Sequence, residues 1–183
     1  MEERVIIGID PGTNLLGFGV VRAAGREVAF VDMGILDLRK EKDPYAKLRQ
    51  IYETVREACR TYHATEMALE SPFYGKNAQV ILKLGRAQGA AMIAALASGI
   101  GVTEYAPRKA KEAITGNGAA SKEQVRTMLE KTLRVDLGVH PLDATDALAI
   151  ALCHFYETGK PVSGSKSAGG WEKFIAAHPD RVK

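Results

Sequence analysis

Cysteine is scarce: the 183-residue chain has two, Cys59 and Cys153. Both fall within apolar helical patterns and lack the paired spacing of a zinc site. Neither a disulfide framework nor a structural zinc module is expected, and both read as small buried hydrophobes in a reducing cytoplasm. Long apolar runs are missing as well. The two longest, around 90–97 and 147–152, fall short of the about 20 residues that span a bilayer, so no membrane association is expected. The opening Met-Glu-Glu-Arg has neither the basic start nor the apolar centre of a secretory leader, which points to a cytoplasmic protein. Charge of one sign is not in excess: 25 Lys and Arg face 22 Asp and Glu, a net +3. Bulk charge therefore says little about a polyanionic partner, and the placement of the basic residues has to decide. Histidine is limited to His63, His140, His154 and His178. None follows a nucleophile elbow, which argues against a Ser-His hydrolase, although His140 lies close enough to Asp143 in sequence to be a candidate proton carrier.

The chain does hold a clear alternation of strand and helix patterns. Val5 to Asp10 is an apolar run closed by Asp-Pro-Gly, a turn signal. The apolar, β-prone runs Leu15 to Arg22 and Glu27 to Leu38 predict a three-stranded antiparallel meander with it. Between Pro44 and Tyr62, Tyr45, Leu48, Tyr52, Val55, Cys59 and Tyr62 recur every three or four positions, which predicts a helix with one buried stripe. A short strand at Met67 to Glu70 precedes a long helix at 77–98, whose Gly85, Gly89 and alanines leave one side thin. A strand at Gly101 to Tyr105 and a short helix from Pro107 follow. Ser121 and Gln124 form a capping-box start for the next helix, and a final helix runs from about Leu142 to Glu157. This order predicts an α/β fold: a mixed five-stranded sheet, three antiparallel strands then parallel additions, with helices on both faces. The expected division is one domain at 1–158 and a flexible Gly/Ser-rich tail at 159–183.

Four acids stand out by position. Asp10 ends the first strand and Glu70 the fourth. Asp143 and Asp146, three apart, share one face of the first turn of the last helix. Each has a bland explanation alone: Asp10 could open a turn, Glu70 could start a loop, and Asp143 and Asp146 could cap a helix. Together, with apolar flanks, they suggest one cluster that repels itself unless cations occupy it. Hard oxygen ligands suit Mg²⁺ or Mn²⁺. A two-ion site, with ions roughly 3.5 to 4 Å apart, suits phosphodiester hydrolysis.

Several segments carry a family resemblance: Ile-Gly-Ile-Asp-Pro-Gly-Thr at 7–13, Ala-Leu-Glu at 68–70, Lys-Asn-Ala at 76–78 and Leu-Lys-Leu-Gly-Arg-Ala-Gln-Gly at 82–89. Tyr-Ala-Pro-Arg-Lys-Ala-Lys at 105–111, Gly-Asn-Gly-Ala-Ala-Ser-Lys at 116–122 and Asp-Ala-Thr-Asp-Ala-Leu-Ala-Ile-Ala at 143–151 complete an ordered set. The set resembles the RuvC junction resolvases from about Arg4 to Tyr156. The resemblance implies a ribonuclease-H-like fold, with Asp10, Glu70, Asp143 and Asp146 as both catalytic residues and metal ligands for two Mg²⁺ or Mn²⁺ ions. It also implies paired nicking of like-polarity strands across a four-way DNA junction, in recombination and repair. Phe73 best matches the aromatic the family places at the junction centre. Tyr74, Lys76, Lys83, Arg86, Arg108, Lys111 and Lys122 are further candidate DNA contacts, with Lys109 and Arg126 beside them. Lys111 and Lys122 match the family's basic positions best. A homodimer and a branch-migration motor, RuvA and RuvB, are the implied partners. The thin side of the 77–98 helix is the candidate dimer face, the alternative being tight packing on its own sheet. Ser71-Pro72 departs from the pattern after Glu70, and the tail has no assigned counterpart in the family.

Two other classes fit parts of the pattern. An actin-like ATPase or sugar kinase uses a loop like 7–13 for phosphates, but pairs two such domains, and the chain has room for one. A non-catalytic nucleic-acid-binding module would have no need of all four acids.

Overall fold

The computed structural model describes residues 3–71, 77–138 and 140–159. Among them run β1 (Glu3–Asp10), β2 (Leu15–Ala24), β3 (Glu27–Asp37), α1 (Pro44–Thr61), β4 (Glu66–Glu70), α2 (Ala78–Leu96), β5 (Gly101–Tyr105), α3 (Pro107–Thr115), α4 (Lys122–Leu133) and α5 (Leu142–Thr158). The strands form one sheet in the order β3-β2-β1-β4-β5. The first three are antiparallel to one another, and β4 and β5 add in parallel. The mixed five-stranded sheet expected from the element order is the one observed. The proposed tail beyond Gly159 lies outside the described residues.

Strand alternation divides the core into two layers. In β1, Val5, Ile7 and Ile9 point to one face and join Ile51 and Val55 of α1 and Ala87, Ala91, Ala94 and Ala95 of α2. Ile6 points to the other, with Leu129 of α4 and Leu148 and Leu152 of α5. In β4, Met67 and Leu69 repeat the first direction and Ala68 the second. Because side chains alternate with period two, Asp10 and Glu70 fall on the face that α5 covers. Helix starts follow local chemistry: Asp43 caps α1 with Pro44 in its first turn, and Ser121 and Gln124 form the predicted capping box of α4. The buried stripe of α1 runs through Ile51, Val55 and Cys59. Tyr45, expected on that stripe, is exposed instead and lines a surface groove.

Helix α5 lies on the sheet through three glycines. A Cβ at Gly8 would stand 2.1 Å from the Ala147 carbonyl oxygen, one at Gly17 2.4 Å from that of Asp143, and one at Gly19 2.6 Å from the Leu148 Cα. Gly8 and Gly19 are cross-strand partners, and Gly17 pairs with Asp10. Backbone-to-backbone contact of this kind is available only where no side chain intervenes. It brings the first turns of α5 down beside the end of β1.

Gly85 and Gly89 behave differently. Helix α2 packs on its own sheet through Ala87, Ala91, Ala94 and Ala95, while a Cβ at either glycine would meet nothing within 4 Å. With about 100° per residue, Leu82, Gly85, Gly89, Ile93 and Leu96 share the outward face. Leu82, Ile93 and Leu96 are more than half exposed.

Candidate active site

The parallel register of β1 and β4 pairs Ile9 with Leu69. One residue further on, Asp10 and Glu70 stand at adjacent strand ends. From the other side, α5 carries Asp143 in its first turn and Asp146 one turn-face along. Asp10, Glu70 and Asp146 line a cavity of about 220 Å³ whose remaining wall includes Lys111 and Lys122. Asp143 sits at its rim, joined through Lys122, whose Nζ donates to Asp143 Oδ1 at 2.9 Å and pairs with Asp146 Oδ2 at 2.6 Å. The structure thus gathers acids from three elements distant in sequence.

Side-chain capping does not occupy these acids. No side chain caps α5, whose N-cap is Pro141, so Asp143 and Asp146 are not spent on helix amides. Among the described residues, neither the Asp10 nor the Glu70 carboxylate has a hydrogen-bonding donor. Both have their pKa raised. For Asp10 the main cause is burial, followed by the charge of Asp146, against a lowering by Lys122. For Glu70 burial again comes first, then Asp10 and Asp146, with Lys122 and Lys111 opposing. Burial works against the Lys122 charge, but its bonds to Asp146 and Asp143 outweigh that and hold its pKa above the ordinary value. The pocket favours positive charge, and an ammonium supplies it.

Among the described residues, no group of three His, Cys, Asp or Glu side chains is arranged to hold a metal ion as it stands. Asp143 and Asp146 are turned onto Lys122 instead. The donor set nevertheless fits a hard cation: oxygen ligands only, self-repelling, half-buried, and already clasping one positive group.

The basic candidates divide by location. Lys111 and Lys122 wall the acidic cavity, and Lys83 and Arg86 line a separate groove. Arg108 lays its aliphatic stem over Gly118. Lys109 pairs with Glu157 at 2.8 Å and sits over the Tyr105 ring, while Arg126 donates to the His140 carbonyl oxygen. These last two serve the fold. His140 packs edge-on to Phe30 rather than lining the cavity. Phe73, Tyr74 and Lys76 lie outside the described residues. Reasoning from the sequence misses the Gly8, Gly17 and Gly19 seat under α5. The signal is there, as glycines inside strand patterns, which mark close backbone approach.

A sequence model of the family described as crossover junction endodeoxyribonuclease RuvC matches residues 6–154. The chain belongs to the RuvC family. A RuvC from Bacteroides fragilis is 53% identical over 100% of this chain and 98% of its own length. The tail therefore has a counterpart in at least one family member, although the family model stops before it. The solved RuvC structure from Thermus thermophilus has 30% identity and a TM-score of 0.75, covering 84% of this chain and 95% of that one. The T. thermophilus RuvC in complex with a Holliday junction substrate gives 29% and 0.75, over 85% and 94%.

Proposed function

We propose that the cavity between β1, β4 and α5 cuts phosphodiester bonds of four-way (Holliday) DNA junctions, with Asp10, Glu70, Asp143 and Asp146 as the catalytic, metal-holding residues. The protein is a crossover junction endodeoxyribonuclease. One observation carries the site assignment: Asp10, Glu70 and Asp146, from three elements, face one cavity, and Asp146 is paired there with the Lys122 ammonium. The four carboxylates would hold Mg²⁺ or Mn²⁺, two ions in this reading. Cations held by these carboxylates would supply the positive charge that stabilises the attacking and leaving oxygens of an in-line displacement.

The chain's own groups do the rest. Strand ends fix Asp10 and Glu70 on a rigid sheet, and α5 fixes Asp143 and Asp146 through the glycine seat. Lys111 and Lys122 offer positive charge to the phosphate entering the cavity. Phe73, by resemblance to the family, is the proposed DNA contact at the junction centre, with Tyr74 and Lys76, in the same stretch after Glu70, and the basic Arg108 as further proposed contacts. Cutting leaves 5′-phosphate and 3′-hydroxyl ends that ligase can seal.

A four-way junction has approximate two-fold symmetry and needs two cuts, which a two-fold homodimer supplies. The outward apolar and glycine face of α2 is the proposed interface. In the same reading, residues 1–158 form the nuclease domain, 159–183 a tail, and the protein works in the cytoplasm with the RuvA and RuvB branch-migration complex. Among the described residues no helix is long and apolar enough to cross a membrane.

The test is to offer synthetic four-way junctions and matched linear duplexes with Mg²⁺, then with chelator. Symmetric, ligatable nicks in the junction alone, abolished by chelation, are expected. Equal cutting of linear duplex, or cutting undiminished by chelator, would overturn the proposal.

Lys122 gives a second prediction. Its ammonium holds Asp143 and Asp146 as a cation would, so Lys122→Ala frees two ligands from a competing positive charge. Calorimetric titration with Mn²⁺ alone is expected to show tighter binding than in the wild type. Junction cutting at saturating metal should fall about tenfold or more, the scale of one lost charge-assisted contact to a phosphate.

A further inference from the structure

On the other side of the turn that follows Asp10 lies a second cavity, about 490 Å³, between that turn and the start of α1 and α2. Four of its lining residues are cationic, Lys42, Lys47, Lys83 and Arg86, and none is a carboxylate. Among the described residues none of the four is in an ion pair. The acids nearest in sequence are occupied with backbone amides: Glu41 accepts from the Lys42 and Asp43 N–H groups, and Asp43 from those of Tyr45 and Ala46. Four like charges around one concavity repel each other and favour an anion there.

Two further features say what kind of anion. The groove's sides are apolar at Val80 and at Tyr45, which is 75% exposed at the start of α1. An exposed aromatic beside cations suits a base or sugar with its phosphate, since stacking is tolerant of sequence. The chain also links the groove to the acidic cavity through the turn at 11–14. Lys47 Nζ donates to the Thr13 carbonyl oxygen at 3.1 Å, so one wall of the groove is the turn that begins at Asp10. Thr13 and Asn14 line the basic side, and Asp10 lines the acidic side.

We propose that this groove holds the sugar–phosphate backbone of the cut strand as it continues from the acidic cavity across the turn at 11–14, with Lys42 and Lys47 on phosphates and Tyr45 against a base or sugar. The inference rests on the acidic cavity being the place of cutting. It assigns a strand path to Lys42 and Lys47, which carry no motif in the sequence, and to Tyr45, whose periodicity places it in the core.

The test uses a labelled four-way junction and the full-length protein in chelator, with affinity read by fluorescence anisotropy across a salt series. The double variant Lys42→Gln, Lys47→Gln should bind about tenfold more weakly at roughly 100 mM salt, and the slope of log affinity against log salt should be shallower by roughly 1.8, since each phosphate contact contributes about 0.9. Lys47→Arg, which keeps the charge, should keep the wild-type slope. Tyr45→Ala should weaken binding with the slope unchanged. Wild-type affinity and slope in the double variant, in a protein that still nicks junctions, would overturn the groove while leaving the nuclease standing. Weaker binding with an unchanged slope in that variant would also overturn it, since the lysines would then act through the fold or belong to a protein partner. Absence of nicking by the wild type would instead strike the reading of the acidic cavity.

Discussion

Asp10→Asn is expected to slow junction nicking by at least about a thousandfold, roughly 4 kcal/mol of barrier, and at the same time to raise the melting temperature of the metal-free protein. The two effects have one cause. Asp10 sits among Asp146, Asp143 and Glu70 in a half-buried place that disfavours its charge. A carboxylate whose folded pKa is raised contributes stability that is fully present below its unfolded pKa and is lost as pH rises through the folded one. With chelator, stability should therefore fall as pH rises above the ordinary carboxylate range of about 4. At neutral pH the Asp10 charge is a liability, disfavoured first by burial and then by Asp146, and removing it while keeping the shape relieves it. A gain of about 1 to 2 kcal/mol, some 3 to 6 °C for a chain of this size, is expected. Single-turnover nicking with Mg²⁺ and calorimetry in chelator measure the two halves. Normal cutting would remove Asp10 from the site, and a lowered melting temperature would mean that its charge supports the fold. The trade of stability for activity is a common signature of functional carboxylates.

Gly8→Ala is expected to cost about 3 kcal/mol of folding stability and about a hundredfold in cutting. Ordinary propensity argues the other way, since replacing a strand glycine with alanine gains roughly 0.5 to 1 kcal/mol. Contact geometry decides. The new Cβ would lie 2.1 Å from the Ala147 carbonyl oxygen and 2.7 Å from the Ala151 nitrogen, both backbone atoms that no rotamer change can clear. Carbon and oxygen tolerate an approach of about 3.3 Å, so α5 must lift by about 1 Å or the strand must bend. Overpacking of this sort costs about 1 to 3 kcal/mol. A displacement of about 1 Å between Asp146 and the strand-borne acids is enough for a hundredfold loss. Gly101→Ala is the control, because open space surrounds Gly101 in β5 and the strand preference alone predicts a gain of roughly 0.5 to 1 kcal/mol. Urea unfolding compares the pair. A Gly8 variant as stable and active as the wild type would show that the seat of α5 is not tight.

Much of this molecule is legible in its sequence. Periods of two and of three to four residues separate strands from helices, and short connections after β1 and β2 against helical ones later on separate antiparallel from parallel additions. The Ser121 capping box follows from local chemistry alone. The four acids stand out because each closes or opens an apolar element. Other parts cannot be read that way. Lys83, Arg86, Lys109, Arg126, Lys111 and Lys122 look alike in sequence, yet two line a groove, two are spent on Glu157 and a backbone carbonyl, and two wall the acid cavity. A basic side chain of several rotatable bonds carries no local mark of its neighbour.

The glycines reverse in the same way. Gly85 and Gly89, by their place in a thin helix, suggest close approach, and they face open space within this chain, while Gly8, Gly17 and Gly19 carry the tight contact. Periodicity and residues near one another along the chain specify the elements, their order and the two-sided sheet, and single out the four acids as candidates. Which strand ends adjoin, how low α5 sits, that Lys122 lies between Asp143 and Asp146 and that a basic groove lies across the turn from the acidic cavity emerge in three dimensions alone. Those are distances between groups far apart in the chain, fixed by how backbones pack against each other, and no local pattern encodes them.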